Sequence, residues 1–410
     1  MATKSALEAA GKTFRTQNIS KRVRQIVISP IKEMSILADE FAKKTRGDIV
    51  SFGQGIPYFD TPAYIKRALR KALGEKDTAR YTLEPGIPAL RVSIAKNLEK
   101  TKHISSVDPF KEIMVSTGCQ EAVACALAAT IDPGDEVLLP SPAFASYSEQ
   151  VLQLGGVPVF APLNEKAGWT FDAAACEKKI TKKTKVVLFS HPSNPTGMLF
   201  DQSDLESIAR IARKYNLIVI SDETYDFLTY EGKEHISIAS FETMRDRVIL
   251  CGSFSKRYAL TGYRVGYAFA CEGILDHMLK VHDALTICAP ALSQKAALAA
   301  LEGPQDSVKE FAKKFTLNRN LVCEELDAMN TVFSYHPPMG AYYVFPKAKN
   351  LKIPSFDLAL KLLYEARVIV IPGAAFGAGG EGHLRLSFCC RPEEIKEGFR
   401  RLRQWFRKNS

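Results

Sequence analysis

The chain has no apolar run near the roughly 18 residues that a helix needs to cross a membrane, so a helical span is not expected. Its opening stretch, MATKSALEAAGKTFRTQNISKR, lacks the apolar centre of a secretion signal. That stretch has several basic residues and only Glu8 among acids. It leaves a transit peptide open, with a mobile N-terminal arm over 1–30 as the simpler expectation. None of the nine cysteines forms a CxxC, and the adjacent pair Cys389–Cys390 suits neither a common disulfide nor a metal site. An odd number of thiols scattered through apolar stretches points to reduced, buried cysteines in a reducing, cytoplasmic compartment. No cluster has metal-ligand spacing, so no metal is expected. Gly53-x-Gly55 is not continued into GxGxxG, so a dinucleotide fingerprint is missing. Zinc-finger and basic-zipper spacings are missing too, and the Lys and Arg residues are spread along the whole chain. The net charge of +10 therefore argues for a basic soluble protein rather than a nucleic-acid binder, although such a surface can attract anionic metabolites. No internal repeat or low-complexity tract is present.

What is present is an ordinary globular composition, 46% hydrophobic and 24% charged over 410 residues. That length suits two or three domains, or one large α/β domain with an appendage. Residues 31–46 have helical periodicity. DIVSFGQGIPYFDTP reads as a short strand and a Gly/Pro-rich loop, then a helix over 62–74 with Pro62 at its first position, then another over 88–100. From residue 113 strands and helices alternate. EIMVS, EVLLP, VPVFA, KVVLFS, LIVISD, RVILCGS and RVGYAFA are the strands, several of them continuous Val/Ile/Leu runs as strands buried on both faces should be. This predicts a mainly parallel, doubly wound sheet in a large domain over 61–300. From about 305 a charged helix (306–330), AYYVFP, a helix near 356–366, VIVIPG, HLRLSFC and a basic last helix read as a smaller α+β domain. That domain takes in 31–60 and 301–410.

Ligands of an open parallel sheet collect at the C-terminal ends of its strands. Asp222 and Glu223 follow LIVIS, Asn194 follows VVLFSHPS, Ser253, Ser255 and Lys256 follow VILCG, and Gly118 follows IMVST. Each has an unremarkable use when taken alone. Lys256 could be a loop lysine, Asp222 a helix cap, Asn194 and Gly118 turn residues, and Phe144 a core aromatic. Together they would face one crevice. Thr117-Gly118-Cys119-Gln120 opens a helix straight after a strand, where free N–H groups and the helix dipole suit a phosphate. Arg385 lies inside an otherwise apolar strand, where an arginine is costly to bury without a partner.

The segments GQGIPYFDTP (53–62), YTLEPGIPALR (81–91), TGCQEA (117–122), SPAFASY (141–147), HPSNPTG (191–197), SDETYDFL (221–228), SFSKRYALTGYRVGY (253–267) and LRLSF (384–388) resemble, in order and spacing, the class I aminotransferases of pyridoxal-phosphate fold type I. The resemblance covers nearly the whole chain. It implies pyridoxal 5'-phosphate as cofactor and Lys256 as the lysine that condenses with its aldehyde and then moves the substrate proton. Asp222 would keep the pyridine nitrogen protonated. Asn194 and Tyr225 would donate to the ring hydroxyl oxygen, and Phe144 would stack on the ring. Gly118, Cys119, Gln120, Ser253 and Arg264 would cradle the phosphate, and Tyr81 would reach the phosphate of a neighbouring subunit in a homodimer. Arg385 would grip the substrate α-carboxylate bidentately, with Gly55 and Asn194 beside it. The reaction implied is ping-pong transfer of an amino group from an aspartate, aromatic or similar L-amino acid to a 2-oxo acid such as 2-oxoglutarate. A carbon–sulfur β-lyase or an aminocyclopropane-carboxylate-forming enzyme would share the same lysine, aspartate and arginine. A regulator on this fold would need a helix-turn-helix domain, and none fits before residue 31. Arg257 departs from the pattern, where a smaller residue is usual. His191 reads as a structural histidine and Cys119 as an inert buried thiol. A dicarboxylate substrate would need a second cation, from this chain or from the partner subunit, for which Arg24, Arg257 and Lys295 are the candidates.

Overall fold

A computed structural model of the chain describes residues 19–26, 29–45, 48–349 and 353–409. Most of the expected arm, residues 1–18, therefore lies outside the described residues. The helices of eight or more residues are α1 (Pro30–Thr45), α2 (Ala63–Ala72), α3 (Pro88–Lys102), α4 (Cys119–Thr130), α5 (Ala145–Gln153), α6 (Gln202–Tyr215), α7 (Glu272–Thr286), α8 (Ala291–Glu302), α9 (Asp306–Asp327), α10 (Ser355–Ala366) and α11 (Pro392–Asn409). Pro62 stands one position outside α2, with ψ 138°, instead of opening it.

The central sheet has seven strands: β1 (Ile113–Ser116), β2 (Glu136–Ser141), β3 (Val157–Pro162), β4 (Thr184–Ser190), β5 (Ile218–Asp222), β6 (Val248–Ser253) and β7 (Gly266–Phe269). Their order is β1-β7-β6-β5-β4-β2-β3. All neighbours run parallel except β7, which is antiparallel to both β1 and β6. Alternate residues of each strand enter different cores, as the two-residue period of a strand requires. Val187 and Phe189 join a cluster with Leu90 and Ile94 of α3, Leu205 of α6 and Ala296 of α8. Val186 and Leu188 join a cluster with Val123 of α4, Val151 of α5 and Met278 of α7. Helices thus cover both faces, and the continuous apolar runs follow from that double burial.

A third cluster gathers Met34 and Phe52 with Phe315, Val344, Leu362, Leu386 and Phe399. Around it lie β8 (Tyr343–Val344), β9 (Ile371–Pro372) and β10 (Leu384–Ser387), paired antiparallel in the order β8-β10-β9. Val50–Ser51 runs parallel to Val368–Ile369, so the segment before α2 is tied to the C-terminal third of the chain. No helix of the described residues is long and apolar enough to cross a membrane, and all nine cysteines are free thiols.

Candidate active site

The carboxyl ends of the central strands open into a cavity of about 670 Å³. Lys256, Asp222, Tyr225, Asn194, Ser253, Cys119, Gln120, Phe144, Arg264, Arg385 and Gly55 all line it. Gly118 sits beside it, beneath Arg264: a Cβ at Gly118 would lie 2.5 Å from the Arg264 guanidinium, and its φ of 88° suits glycine. Tyr81 is the exception. It is 76% exposed and lines a second cavity with Lys295, so a single chain does not bring it to the others.

Asp222 ends β5, and its carboxylate is held by three donors. The Tyr147 hydroxyl donates to Oδ2 at 2.8 Å, and the Thr224 N–H (3.0 Å) and the Cys119 thiol (3.4 Å) donate to Oδ1. Burial, and then the Asp222 charge, push the Cys119 thiol well above its ordinary pKa, which makes it an inert donor. Lys256 donates from Nζ to the Gly55 carbonyl at 2.6 Å. Burial, helped by Arg264 and Arg385, lowers the Lys256 ammonium to about 8, close to the range in which an amine can serve as base. Tyr225 is buried, with its hydroxyl 2.8 Å from that of Tyr343.

Arg385 is 2% exposed in β10. Its Nη1 donates to Asn194 Oδ1 at 3.0 Å and its Nη2 to the Gly53 carbonyl, while Nε has no partner. Tyr343 and Phe376 lie under the guanidinium at 4.5 and 5.3 Å from their centroids. It forms no ion pair with any carboxylate among the described residues. A buried guanidinium without a counterion, facing a cavity, suits a carboxylate brought from outside.

At the phosphate-type end, α4 begins at Cys119 after Gly118, and the Thr117 hydroxyl is buried without a partner. The Thr117 N–H donates to Glu121 at 2.8 Å. Arg264 itself adopts a left-handed φ of 51°, a strained conformation of the kind found at functional sites. Glu121 and Cys125, one turn apart on α4, come together with the distant His282, with ligand atoms within 4.8 Å. They are hydrogen-bonded to one another, Glu121 accepting from Cys125 at 3.1 Å and facing His282 Nδ1 at 2.8 Å.

Directly behind the cavity is a buried ion cluster. Lys102, the last residue of α3, is 2.7 Å from Glu223 and 2.5 Å from Asp226, and Arg257 reaches Asp226 at 2.9 Å. Arg257 thus turns away from the cavity. His191 stacks on Phe200 and faces the Ile236 carbonyl at 3.1 Å. Burial and the nearby His235 lower it to about 3, so it stays neutral and structural.

Residues 47–402 match the family model for aminotransferase class I and II. The chain belongs to that family. It is 38% identical to an aspartate aminotransferase of Pyrococcus abyssi over 88% of this chain and 92% of that one. It is 34% identical to aromatic-amino-acid aminotransferase 2 of Thermococcus litoralis over 94% and 97%. Among solved structures, the aspartate aminotransferase of Thermus thermophilus with maleate superposes with a TM-score of 0.88 at 31% identity, covering 94% of this chain and 98% of that one. The fold is therefore that of fold type I aminotransferases, the cofactor is pyridoxal 5'-phosphate, and the activity is transfer of an amino group between amino acids and 2-oxo acids. The residues present fit that cofactor. A helix N-terminus with an arginine over a glycine and an unpartnered threonine hydroxyl suits a phosphate, a fixed carboxylate suits a protonated ring nitrogen, and a lysine of lowered pKa suits an aldehyde.

Sequence reasoning missed Tyr147, Tyr343 and Lys102. Tyr147 lies one helical turn after Phe144, within SPAFASY, and that i, i+3 spacing was the signal available for it. Nothing in the local sequence marks Lys102.

Proposed function

We propose that this aminotransferase uses Lys256 as the lysine that holds the cofactor and shuttles the substrate proton, Asp222 as the ring-nitrogen partner, and Arg385 as the α-carboxylate receptor. The observation that carries this reading is the buried, counterion-free Arg385 in one cavity with a lysine whose pKa is lowered to about 8. When bound, the cofactor supplies the electron sink that makes the substrate Cα–H acidic.

The protein's own residues supply the rest. Arg385 and Asn194 would orient the substrate by its carboxylate, with the Gly53 carbonyl holding the Arg385 guanidinium and the Gly55 carbonyl holding the Lys256 ammonium. Lys256, neutral for part of the time near pH 7.5, takes the proton from the substrate Cα and returns it, which a fully charged ammonium could not do. The Asp222 carboxylate is held in place by the Tyr147 hydroxyl and the Thr224 N–H, and Asn194 and Tyr225 would donate to the ring hydroxyl oxygen of the bound cofactor. Gly118, Cys119 and Gln120 at the start of α4 would offer N–H groups to the phosphate, with Ser253 and Arg264 completing the cradle and Phe144 as the aromatic available to the ring.

Tyr81 and the second cavity fit a homodimer in which each chain lends its tyrosine to the other's site, since the residue is exposed and idle in one chain. The large domain over 61–300 and the small domain over 31–60 and 301–410 belong to the same reading, supported by two hydrophobic clusters whose buried residues lie wholly within 61–300 and a third drawn mostly from outside it, with Trp169, Tyr225, Leu228 and Tyr230 packed at the junction. The amino donors are aspartate, aromatic or similar L-amino acids, as the names of the relatives suggest, with 2-oxoglutarate as an acceptor.

The test is visible absorbance of the cofactor-loaded protein before and after single amino acids. The wild type should show a lysine-bound cofactor band that amino acids convert to the amine form of the cofactor without release of ammonia. Lys256→Ala should lack the band, and Arg385→Gln should raise KM for the donor about 100-fold or more. Release of ammonia in place of the amine form would move the assignment to a lyase.

A further inference from the structure

Glu121 and Cys125 stand four residues apart on α4, so their side chains lie one above the other on the same face. α7 packs against α4 and brings His282 to that face. Cys125 and His282 are fully buried, and the Glu121 side chain is 13% exposed. The other two donors converge on one oxygen. Glu121 Oε1 accepts from the Cys125 thiol at 3.1 Å and faces His282 Nδ1 at 2.8 Å. All three ligand atoms lie within 4.8 Å of one another. Among the described residues this is the one such group of three, and none of its members lines the main cavity. The second ring nitrogen, His282 Nε2, is buried without a hydrogen-bond partner. No donor points at Nε2, so the ring can carry its proton there and present the Nδ1 lone pair to the group.

We propose that Glu121, Cys125 and His282 form a binding site for a zinc-type divalent cation, which clamps α4 to α7 behind the phosphate turn. One thiolate, one imidazole and one carboxylate are a donor set that zinc takes. Charge favours the same ion. A carboxylate and a thiolate neutralise a divalent cation, so the occupied site brings no net charge into the core. In a zinc tetrahedron such donor atoms stand about 3.3–3.6 Å apart, so the two hydrogen-bonded pairs need open by only about half an ångström. Binding displaces the Cys125 proton to solvent and leaves the His282 proton on Nε2. Until then burial, and next the Glu121 charge, keep that thiol protonated. The fourth position is left to water, on the side where the Glu121 carboxylate is exposed. Glu121 Oε2 accepts the Thr117 N–H at 2.8 Å, so the ion also fixes the carboxylate that holds the turn before Gly118.

The experiment titrates zinc into the cofactor-loaded protein under reducing conditions, counts the metal retained after gel filtration by elemental analysis, and repeats the titration with cobalt. The wild type should hold one tight equivalent per chain more than Cys125→Ala or His282→Gln. Cobalt should give the absorption bands of a tetrahedral site in the red, clear of the cofactor, and a thiolate charge-transfer band that Cys125→Ala removes. Cys271→Ala, at a partly exposed thiol outside the group, should leave both unchanged. Loss of an outer-shell partner alone weakens a metal site by about 10- to 100-fold, so removal of either ligand should weaken zinc by more than that. Zinc should also raise the unfolding temperature of the wild type and not that of the two variants. Should either variant fold poorly, Glu121→Gln, which keeps the shape and loses the charge, should weaken zinc in the same way. The inference is overturned if the wild type retains no more zinc than the variants, or if its cobalt form lacks the thiolate band. The three residues are then a hydrogen-bonded group that only holds the helices together.

Discussion

The buried ion cluster behind the cavity gives the most demanding test of the structure, and Lys102→Met is the perturbation. Methionine keeps most of the stem's length and packing and removes only the charge. In the wild type the ammonium is almost wholly buried between Glu223 and Asp226. Burial opposes its charge, but the carboxylates of Asp226 and Glu223 outweigh burial and raise its pKa above the ordinary lysine value. After substitution Asp226 keeps Arg257 at 2.9 Å. Glu223 keeps only the Ser221 and Ser237 hydroxyls, at 3.1 and 2.7 Å. His235, 3.7 Å away, is held neutral in the wild type first by burial and then by the Lys102 charge, and burial, with Arg257 nearby, still opposes its charge when Lys102 is gone. One buried carboxylate is thus stranded, and breaking a buried pair in this way costs about 3–5 kcal/mol. The stranded Glu223 would have a folded pKa raised above its unfolded value. The deficit is therefore full at pH 8 and shrinks as pH falls and the carboxyl takes up its proton. The assay is urea unfolding by circular dichroism at pH 8 and pH 5.5, for Lys102→Met, Glu223→Gln and the double variant. The double variant should recover about 2 kcal/mol relative to the sum of the singles. A cost below about 1 kcal/mol for Lys102→Met, or a double variant that is simply additive, would refute the claim that this lysine neutralises a buried carboxylate.

Two further perturbations act on the cavity itself. Lys256 has a folded pKa of about 8 against an ordinary 10.5, so in cofactor-free protein the cost of its charge is fully present below pH 8 and gone above 10.5. Cofactor-free Lys256→Met should then exceed wild type at pH 7 by up to ~3 kcal/mol, less ~1 kcal/mol for the lost bond to the Gly55 carbonyl. Unfolding midpoints that show no narrowing of this gap between pH 8 and 10 would contradict the assigned shift. Gly118→Ala forces a side chain into a φ of 88° and ψ of 160° and against Arg264. It should cost ~1–3 kcal/mol and weaken cofactor binding at least about tenfold in an absorbance titration, and unaltered affinity would remove Gly118 from the phosphate cradle.

The parts of the fold that were legible in the sequence are those set by burial. VVLF, IVIS and VILC read as buried strands because every neighbour of β4, β5 and β6 is covered on both faces. The site residues were legible because they stand where those strands end, Asp222 closing β5 and Ser253 closing β6. Strand direction was not legible. RVGYAFA has the same apolar pattern as its neighbours, yet β7 runs antiparallel, and a two-residue period is blind to direction. The reading of the sequence also places no helix over 202–215. Even so, Asp201 caps that helix with Asp204 in a capping box, a signal the sequence carries in its polar residues rather than its apolar ones.

Arg257 shows why adjacency in sequence misleads at such a site. It follows Lys256 directly, so a role toward the substrate was an open reading. In an irregular turn, consecutive side chains point to different sides, and here the two sides are different environments. Lys256, Asp222 and Tyr225 face the cavity, while their immediate neighbours Arg257, Glu223 and Asp226 face the ion cluster. The same three peptide units therefore carry the reactive groups and the charges that pin them from behind. A small residue at 257 would leave Asp226 with Lys102 alone, shared with Glu223, so two carboxylates would compete for one ammonium. The arginine that departs from the family's usual pattern is in this chain the second cation of a balanced cluster, two positive against two negative, and its large side chain is accommodated because it stacks over the Phe227 ring at 5.6 Å on the side away from the substrate.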